Sequence, residues 1–407
     1  MYKPLSHVRV LDMSRILAGP WAAQTLADLG AEVIKVERPG SGDDTRSWGP
    51  PFLDAQDGGS KEAAYFMSAN RGKKSVALDI SKPEGQEVLK KLAAKADILI
   101  ENYKVGGLAR YGLGYEDLKK INPGIIYCSI TGFGQTGPLS QRAGYDFLLQ
   151  AMGGLMSVTG EPDGKPGAGP QKIGVALTDI LTGLYTNIAA LSALANRERT
   201  GEGCHIDMAL LDVTAACMAN QAMNFLVTGN APGRMGNAHP NIVPYEAFAT
   251  ADDYVIIAVG NDSQFERFVE VAGRPDLSAD AKFQTNAARV ENREELIPII
   301  QAFLQERPAA EWISALEEVG VPCGPINNVE QVFTNEQIQH RGLQIAMDHP
   351  TVGDIPQVAS PIKFEGEELA YDRAPPPLGH DTEDVLRDIA ELSDEEIAAL
   401  SSAKIIG

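Results

Sequence analysis

Cysteine is scarce. The 407-residue chain has four, Cys128, Cys204, Cys217 and Cys323, with no CxxC and no metal-like spacing. That excludes a disulfide scaffold and a zinc ribbon, and it fits free thiols in a reducing compartment. The six histidines form no HxxxH or HxH pair, so no bound metal is expected. No run approaches the ~18 uninterrupted apolar residues of a membrane-spanning helix, and the amino terminus lacks a charged-then-apolar leader. A cytoplasmic protein without a membrane partner is the expectation.

Positive charge is the second shortage. Lys and Arg number 35 against 55 Asp and Glu, a formal net charge of −20. Nucleic acid wants a net basic surface, so no nucleic-acid partner is expected. A small anionic ligand is still allowed, because a local arginine cluster overrides a distant negative field. The usual phosphate and nucleophile motifs are missing as well. The first strand–helix turn reads Arg15-Ile16-Leu17-Ala18-Gly19-Pro20 where a dinucleotide enzyme has GxGxxG, and no P-loop, GxSxG elbow or HExxH occurs.

What is present is alternation. Val8–Met13 reads as a strand, Ala18-Gly19-Pro20 opens a helix that ends at Gly30, and Glu32–Glu37 is a second strand. Further strands are expected at Asp97–Glu101 and Ile125–Ile130, each after an amphipathic stretch. Strands alternating with helices predict a parallel sheet covered on both faces. From about Thr178 two long helices are expected, one from Ile180 through Leu194 and one from Met208 through Leu226. Residues 244–320 read as a smaller α/β unit and 335–380, rich in Pro and Gly, as an extended linker. Ser393-Asp394-Glu395-Glu396 is a capping box for a last short helix.

Basic residues do bunch. Arg38 and Arg46 flank a Gly- and Asp-rich turn, and Arg71, Lys73 and Lys74 lie close together. Such clusters suit a phosphate-bearing ligand, though a solvated charged loop has the same pattern. Asp179 stands at the head of a predicted helix, where the dipole favours a carboxylate. Spacing alone does not separate it from Asp146 as a nucleophile.

At these residues the sequence resembles the class III CoA-transferase family. The shared pieces include Ala18-Gly19-Pro20, Gly30–Glu37, Gly42–Arg46, Asn70–Ser75, Glu101-Asn102-Tyr103, Gly144-Tyr145-Asp146 and Pro376-Pro377-Leu378-Gly379. They keep their order over the whole chain. Asp43–Phe52 and Asn237–Tyr245 further resemble members that pass CoA from succinyl-CoA to glutarate or hydroxymethylglutarate.

The resemblance implies a transferase with CoA as cosubstrate and no permanently bound cofactor or metal. It places the nucleophile at Asp179, working through an aspartyl anhydride and an aspartyl-CoA thioester. It implies a CoA site of Arg38, Leu78, Ile80, Asn102, Tyr103, Arg110 and Tyr145, and substrate contacts at Leu17, Arg46 and His239. Arg46 is chosen over Arg71 to hold the distal carboxylate of a dicarboxylic acid. Two departures stand out. The tetraglycine loop of the oxalate-specific members is replaced by His239-Pro240-Asn241-Ile242-Val243, and a CoA-contacting lysine by Ala143, next to Arg142. Related racemases have histidine where this chain has Tyr145, which favours transfer over racemisation. An acyl-CoA racemase and a non-catalytic CoA-binding protein are the alternatives.

The fold implied is α/β. Residues 1–205 form a large Rossmann-like domain completed by 381–407, 206–234 a helical linker, 235–330 a small domain and 331–380 an extended linker. The resemblance also implies an interlocked homodimer, in which His239 approaches the partner's nucleophile.

Overall fold

Six short apolar runs pair into one parallel sheet: β1 (Arg9–Asp12), β2 (Glu32–Glu37), β3 (Lys73–Ala77), β4 (Ile98–Glu101), β5 (Ile126–Thr131) and β6 (Cys204–Ala209). The strand order is β3-β2-β1-β4-β5-β6. This computed structural model describes residues 1–56, 58–59 and 61–407. Every residue of β4 is buried, as a central strand covered on both faces requires. On one face Leu11 and Leu99 pack with Val88 and Leu92 and with Val385, Leu386 and Ile405 near the carboxyl terminus. On the other, Val10 and Ile98 pack with Ala22 and Leu26 of α1 (Ala18–Asp28).

The chain divides into two units. The first comprises Met1–Leu155, Ile173–Ala222 and Gln337–Gly407, and it contains the parallel sheet. The second comprises Met156–Lys172 and Met223–Glu336. Its antiparallel sheet, β7 (Tyr245–Ala249), β8 (Tyr254–Ala258) and β9 (Cys323–Pro325), packs Phe248, Val255 and Ile257 with Phe265, Phe268 and Trp312.

Two expectations need correction. Met208 and Ala209 do not begin a long helix: they end β6, which pairs in parallel with β5. Helix then runs Leu210–Ala216 and Ala219–Thr228, interrupted where Ala219 takes φ 44°. A six-residue strand that leads straight into a helix leaves too few alternations for periodicity to register. The stretch 331–380 is not simply extended either. It holds a hairpin, β10 (Gln344–His349) against β11 (Gly353–Val358), whose Met347 and Ile355 are buried with Met67 and Ala374.

Two further helices frame the site, α2 (Asp146–Met152) and α3 (Leu177–Thr200). The latter is long and apolar enough to cross a membrane, yet it lies along α1 with Gly183 at the crossing. A Cβ on Gly183 would stand 2.7 Å from the Ala18 carbonyl oxygen, so only glycine lets the two backbones approach this closely.

The strand order reverses direction between β1 and β4. In an open parallel sheet, the segments leaving the carboxyl ends of such a strand pair splay apart and leave a crevice. Here those segments begin at Met13 and Asn102.

Candidate active site

The crevice is real. A cleft of about 310 Å³ is lined by Arg15–Ala18 after β1, by Asn102, Tyr103, Lys104 and Arg110 after β4, and by Ile130–Gly132 at the end of β5. Arg142–Tyr145, Leu210 and Asp179 complete it. Four cations therefore share one cleft in a chain of net charge −20. Arg15 pairs with Asp44 at 2.6 Å, both half-exposed, whereas Lys104, Arg110 and Arg142 have no carboxylate partner among the described residues. Arg110 stacks on Tyr111, and Arg142 lies over Phe133.

Asp179 sits in the first turn of α3, whose N-cap Ala176 has no side chain able to cap. The cap comes from another helix. Asp146 Oδ1 accepts the Thr178 N–H at 2.8 Å and the Asp179 N–H at 3.3 Å. Its Oδ2 accepts from Gln150 Nε2 at 2.7 Å, and Gln150 Oε1 accepts the Ile173 N–H at 3.0 Å. Thus one α2 carboxylate and the amide one turn on fix the chain entering α3. Burial, and then the nearby Asp146 charge, push the Asp179 carboxyl up to about 7.

A pH prediction follows from that pair. If the ionised Asp179 is the reacting form, kcat/KM falls as pH drops through about 7. Asp146→Asn keeps an oxygen acceptor for both amides and removes the like charge, so the acid limb moves down by roughly one pH unit. Burial remains, so the limb stays above the ordinary carboxylate range. A pH–rate profile of the variant checks this, and an unmoved limb contradicts it.

Glu101, at the end of β4, is also buried, and burial pushes its carboxyl up to about 7. It accepts the Tyr103 N–H at 2.7 Å and so shapes the wall that carries Tyr103. Tyr65 was not singled out by sequence. Its hydroxyl is held above the usual range by burial and then by the charges of Asp179, Asp146 and Asp43.

The sequence-derived residues separate into groups. Leu17, Asn102, Tyr103, Arg110, Tyr145 and Asp179 line the cleft together. Arg38, exposed, follows β2, while Leu78 and Ile80 follow β3; they share the sheet's carboxyl edge but lie outside the cleft lining. Leu78 is core, 1% exposed, with its backbone bridged to Ile406. Arg15 and Lys104 are cleft cations that sequence reading passed over. Lys104 adjoins Tyr103 and Arg15 lies two residues before Leu17, both carried over by resemblance, and that proximity was the available signal.

Arg46 is a correction. Its Nε and Nη2 donate to the two carboxylate oxygens of Glu37 at 2.8 and 2.7 Å, and Nη2 also reaches the Pro376 carbonyl at 3.1 Å. Its guanidinium carbon lies 3.7 Å from the centre of the Phe66 ring. The residue is a half-buried clamp, with Nε and Nη2 committed to Glu37 and Pro376 and Nη1 held 3.7 Å from the Glu62 carboxylate. Arg71 is used similarly, with a bidentate bond to Asp28.

His239 belongs to the second unit. Its Nδ1 accepts the Asn241 N–H at 3.1 Å, which leaves Nε2 as the donor of the neutral ring. The loop behind it is clamped. Arg293 donates to the Pro240 carbonyl at 2.8 Å, Asn286 to the Asn241 carbonyl at 2.9 Å, and Arg289 to the Val243 carbonyl at 2.7 Å.

Comparison with known proteins now decides the class. The model of CoA-transferase family III matches residues 5–382. The chain belongs to that family. A succinate–glutarate CoA-transferase of Agrobacterium fabrum is 49% identical over 95% of this chain and 96% of its own length. A succinyl-CoA:glutarate CoA-transferase of Mus musculus is 46% identical, covering 99% of this chain and 90% of that protein. Among solved structures, a CAIB/BAIF family protein from Brucella suis superposes with a TM-score of 0.84 at 50% identity, over 96% of this chain and 100% of that one. Family membership accounts for a Rossmann-type strand order without the GxGxxG turn: the ligand carries CoA chemistry, not a nicotinamide.

Proposed function

We propose that the protein moves CoA from succinyl-CoA to glutarate or a closely related dicarboxylate, with Asp179 as a covalent relay. The observation that carries this reading is a carboxylate at a helix start, raised toward neutrality, in a cleft with four cations. The relatives named for succinate and glutarate supply the substrate class.

The chemistry follows from the groups present. The Asp179 carboxylate attacks the succinyl thioester carbonyl, and CoA leaves as thiolate, giving a mixed anhydride. The thiolate then attacks the aspartyl carbonyl and releases succinate, leaving aspartyl-CoA. The glutarate carboxylate attacks that thioester to form a second anhydride, and the thiolate takes the glutaryl group from it. Glutaryl-CoA leaves and the Asp179 carboxylate is restored. Each step exchanges one activated acyl bond for another of similar energy, so dividing the transfer lowers its barrier.

Arg15, Lys104, Arg110 and Arg142 suit the phosphates of CoA, with Arg38, Leu78 and Ile80 further along the same sheet edge. Tyr103 and Tyr145 offer rings to pack against the pantetheine arm, and Leu17 faces the acyl group. In an interlocked homodimer, His239 of one copy offers its Nε2 hydrogen to the acceptor acid held by the other. Leu184, Tyr185 and Ile188 are exposed apolar residues on α3, which supports burial against a second copy in an interlocked homodimer.

Incubation with succinyl-CoA and a panel of acids, with mass-spectrometric detection of thioesters, tests the reading. Glutaryl-CoA is the expected main product, and hydroxymethylglutarate and itaconate should react more slowly. Failure to form a new thioester from any acid would overturn it.

A further inference from the structure

The turn after β1 holds a backbone that its own sequence resists. Ile16 has φ 74°, in the left-handed region that a β-branched side chain almost never adopts. Dinucleotide enzymes place glycine in the equivalent turn. Here four side chains hold the strained form instead.

Their bonds engage five successive backbone groups. The Ser14 N–H donates to Asp12 Oδ1 at 3.0 Å, and the Ser14 carbonyl accepts from Lys35 Nζ at 2.9 Å. Asn102 takes both groups of Arg15: Oδ1 accepts its N–H at 2.9 Å, and Nδ2 donates to its carbonyl at 2.7 Å. The Ile16 N–H donates to the two carboxylate oxygens of Asp43 at 3.1 and 3.2 Å. Asp43 is itself fixed by fully buried Lys35 at 2.9 Å and by the N–H and hydroxyl of Thr45 at 3.0 and 2.9 Å. Arg15, Ile16, Leu17 and Ala18 line the cleft with Asp179.

We propose that Asn102 and Asp43 are positioning residues, which hold the Ser14–Ile16 turn so that Leu17 and the start of α1 face the acyl group on Asp179. Asn102 thus acts through the Arg15 peptide and not as a CoA ligand. The clamp explains why isoleucine is usable. Glycine would sample both signs of φ, whereas isoleucine, with its N–H on Asp43 and the Arg15 peptide held by Asn102, is kept in one conformation. This deepens the transferase reading and rests on it.

The test uses the full-length enzyme with Asn102→Ala, Ile16→Gly and the double variant. For each, kcat with succinyl-CoA and glutarate is measured beside the CoA dissociation constant by calorimetry. Asn102→Ala should lower kcat about tenfold to a hundredfold, with CoA affinity changed by less than about threefold. Adding Ile16→Gly to it should recover a large part of the lost kcat, because glycine takes φ 74° without the clamp. If Asn102→Ala weakens CoA binding tenfold or more with kcat intact, Asn102 is a direct ligand and the proposal fails. It also fails if the double variant is as slow as Asn102→Ala. Should Asn102→Ala not fold, Asn102→Ser serves, since it stays neutral and polar but is too short to bond both groups of Arg15. A wild-type enzyme that binds CoA but transfers it to no acid overturns the transferase reading instead.

Discussion

Asp179→Ala lowers kcat for CoA transfer at least about ten-thousand-fold and leaves the CoA dissociation constant within about threefold. The size reflects the absence of a substitute. Asp146 is the carboxylate that caps the same helix start, but its oxygens are engaged by the Thr178 and Asp179 amides and by Gln150. Asp179→Asn is the sharper variant, because it keeps the shape and cannot form an anhydride. It also has an opposite effect on stability. In the folded protein, burial and then the Asp146 charge push the Asp179 carboxyl up from the ordinary 3.8 to about 7. A raised acid pKa means that the folded state holds its proton longer than the unfolded chain, so this group costs stability increasingly as pH rises from about 4 to about 7. Above that window the cost is complete. Asp179→Asn should therefore melt higher than wild type at pH 8 and close to it at pH 4 while being inactive, the usual sign of a residue kept for function. Steady-state assays, calorimetry and thermal melts at the two pH values check both halves. An active Asp179→Ala enzyme contradicts the relay.

Arg46→Met costs about 3–5 kcal/mol of folding stability and leaves KM for glutarate nearly unchanged. Glu37 is buried, and it is the Arg46 guanidinium, ahead of Lys35 and Ser75, that overrides burial and keeps its carboxyl below the usual range. Methionine matches the volume of the stem but leaves Glu37 without its bidentate partner. The bonded geometry also organises its surroundings: Glu37 accepts the Asp43 N–H at 2.9 Å and the Ser75 hydroxyl at 2.7 Å. Denaturant unfolding of the variant reads the first half and a glutarate titration the second. A tenfold rise in KM with unchanged stability would restore Arg46 to the substrate.

The error over Arg46 shows where sequence reading runs short. A cation nine residues after a strand carboxylate looks free, because no periodic rule links Glu37 to Arg46; only the turn between them, folded back over the end of β2, makes the pair. Leu78 was read as a ligand contact for a related reason. It follows β3 at the ligand edge, yet its side chain turns into the core with Val88 and Leu92. The parallel sheet itself was legible, because β1, β2, β4 and β5 are dense apolar runs that alternate with helices. β6 was not, since its last residues, Met208 and Ala209, read as the start of the helix it leads into. Between Asp146 and Asp179, spacing was silent and the three-dimensional arrangement is explicit: one carboxylate is engaged in capping a helix, and the other is carried at that helix's first turn. The cleft's four cations come from three separate loops, which no local pattern could have gathered.

The most direct test of the aspartyl relay follows oxygen. Glutarate with heavy oxygen in its carboxylates is incubated with unlabelled succinyl-CoA and enzyme, and the peptide containing Asp179 is weighed by mass spectrometry. When glutarate attacks aspartyl-CoA, the bridging oxygen of the new anhydride is its own, and it stays with the aspartate when the thiolate takes the glutaryl group. The account predicts heavy oxygen in Asp179 and in no other side chain. Glutaryl-CoA formed with an unlabelled Asp179 would contradict it.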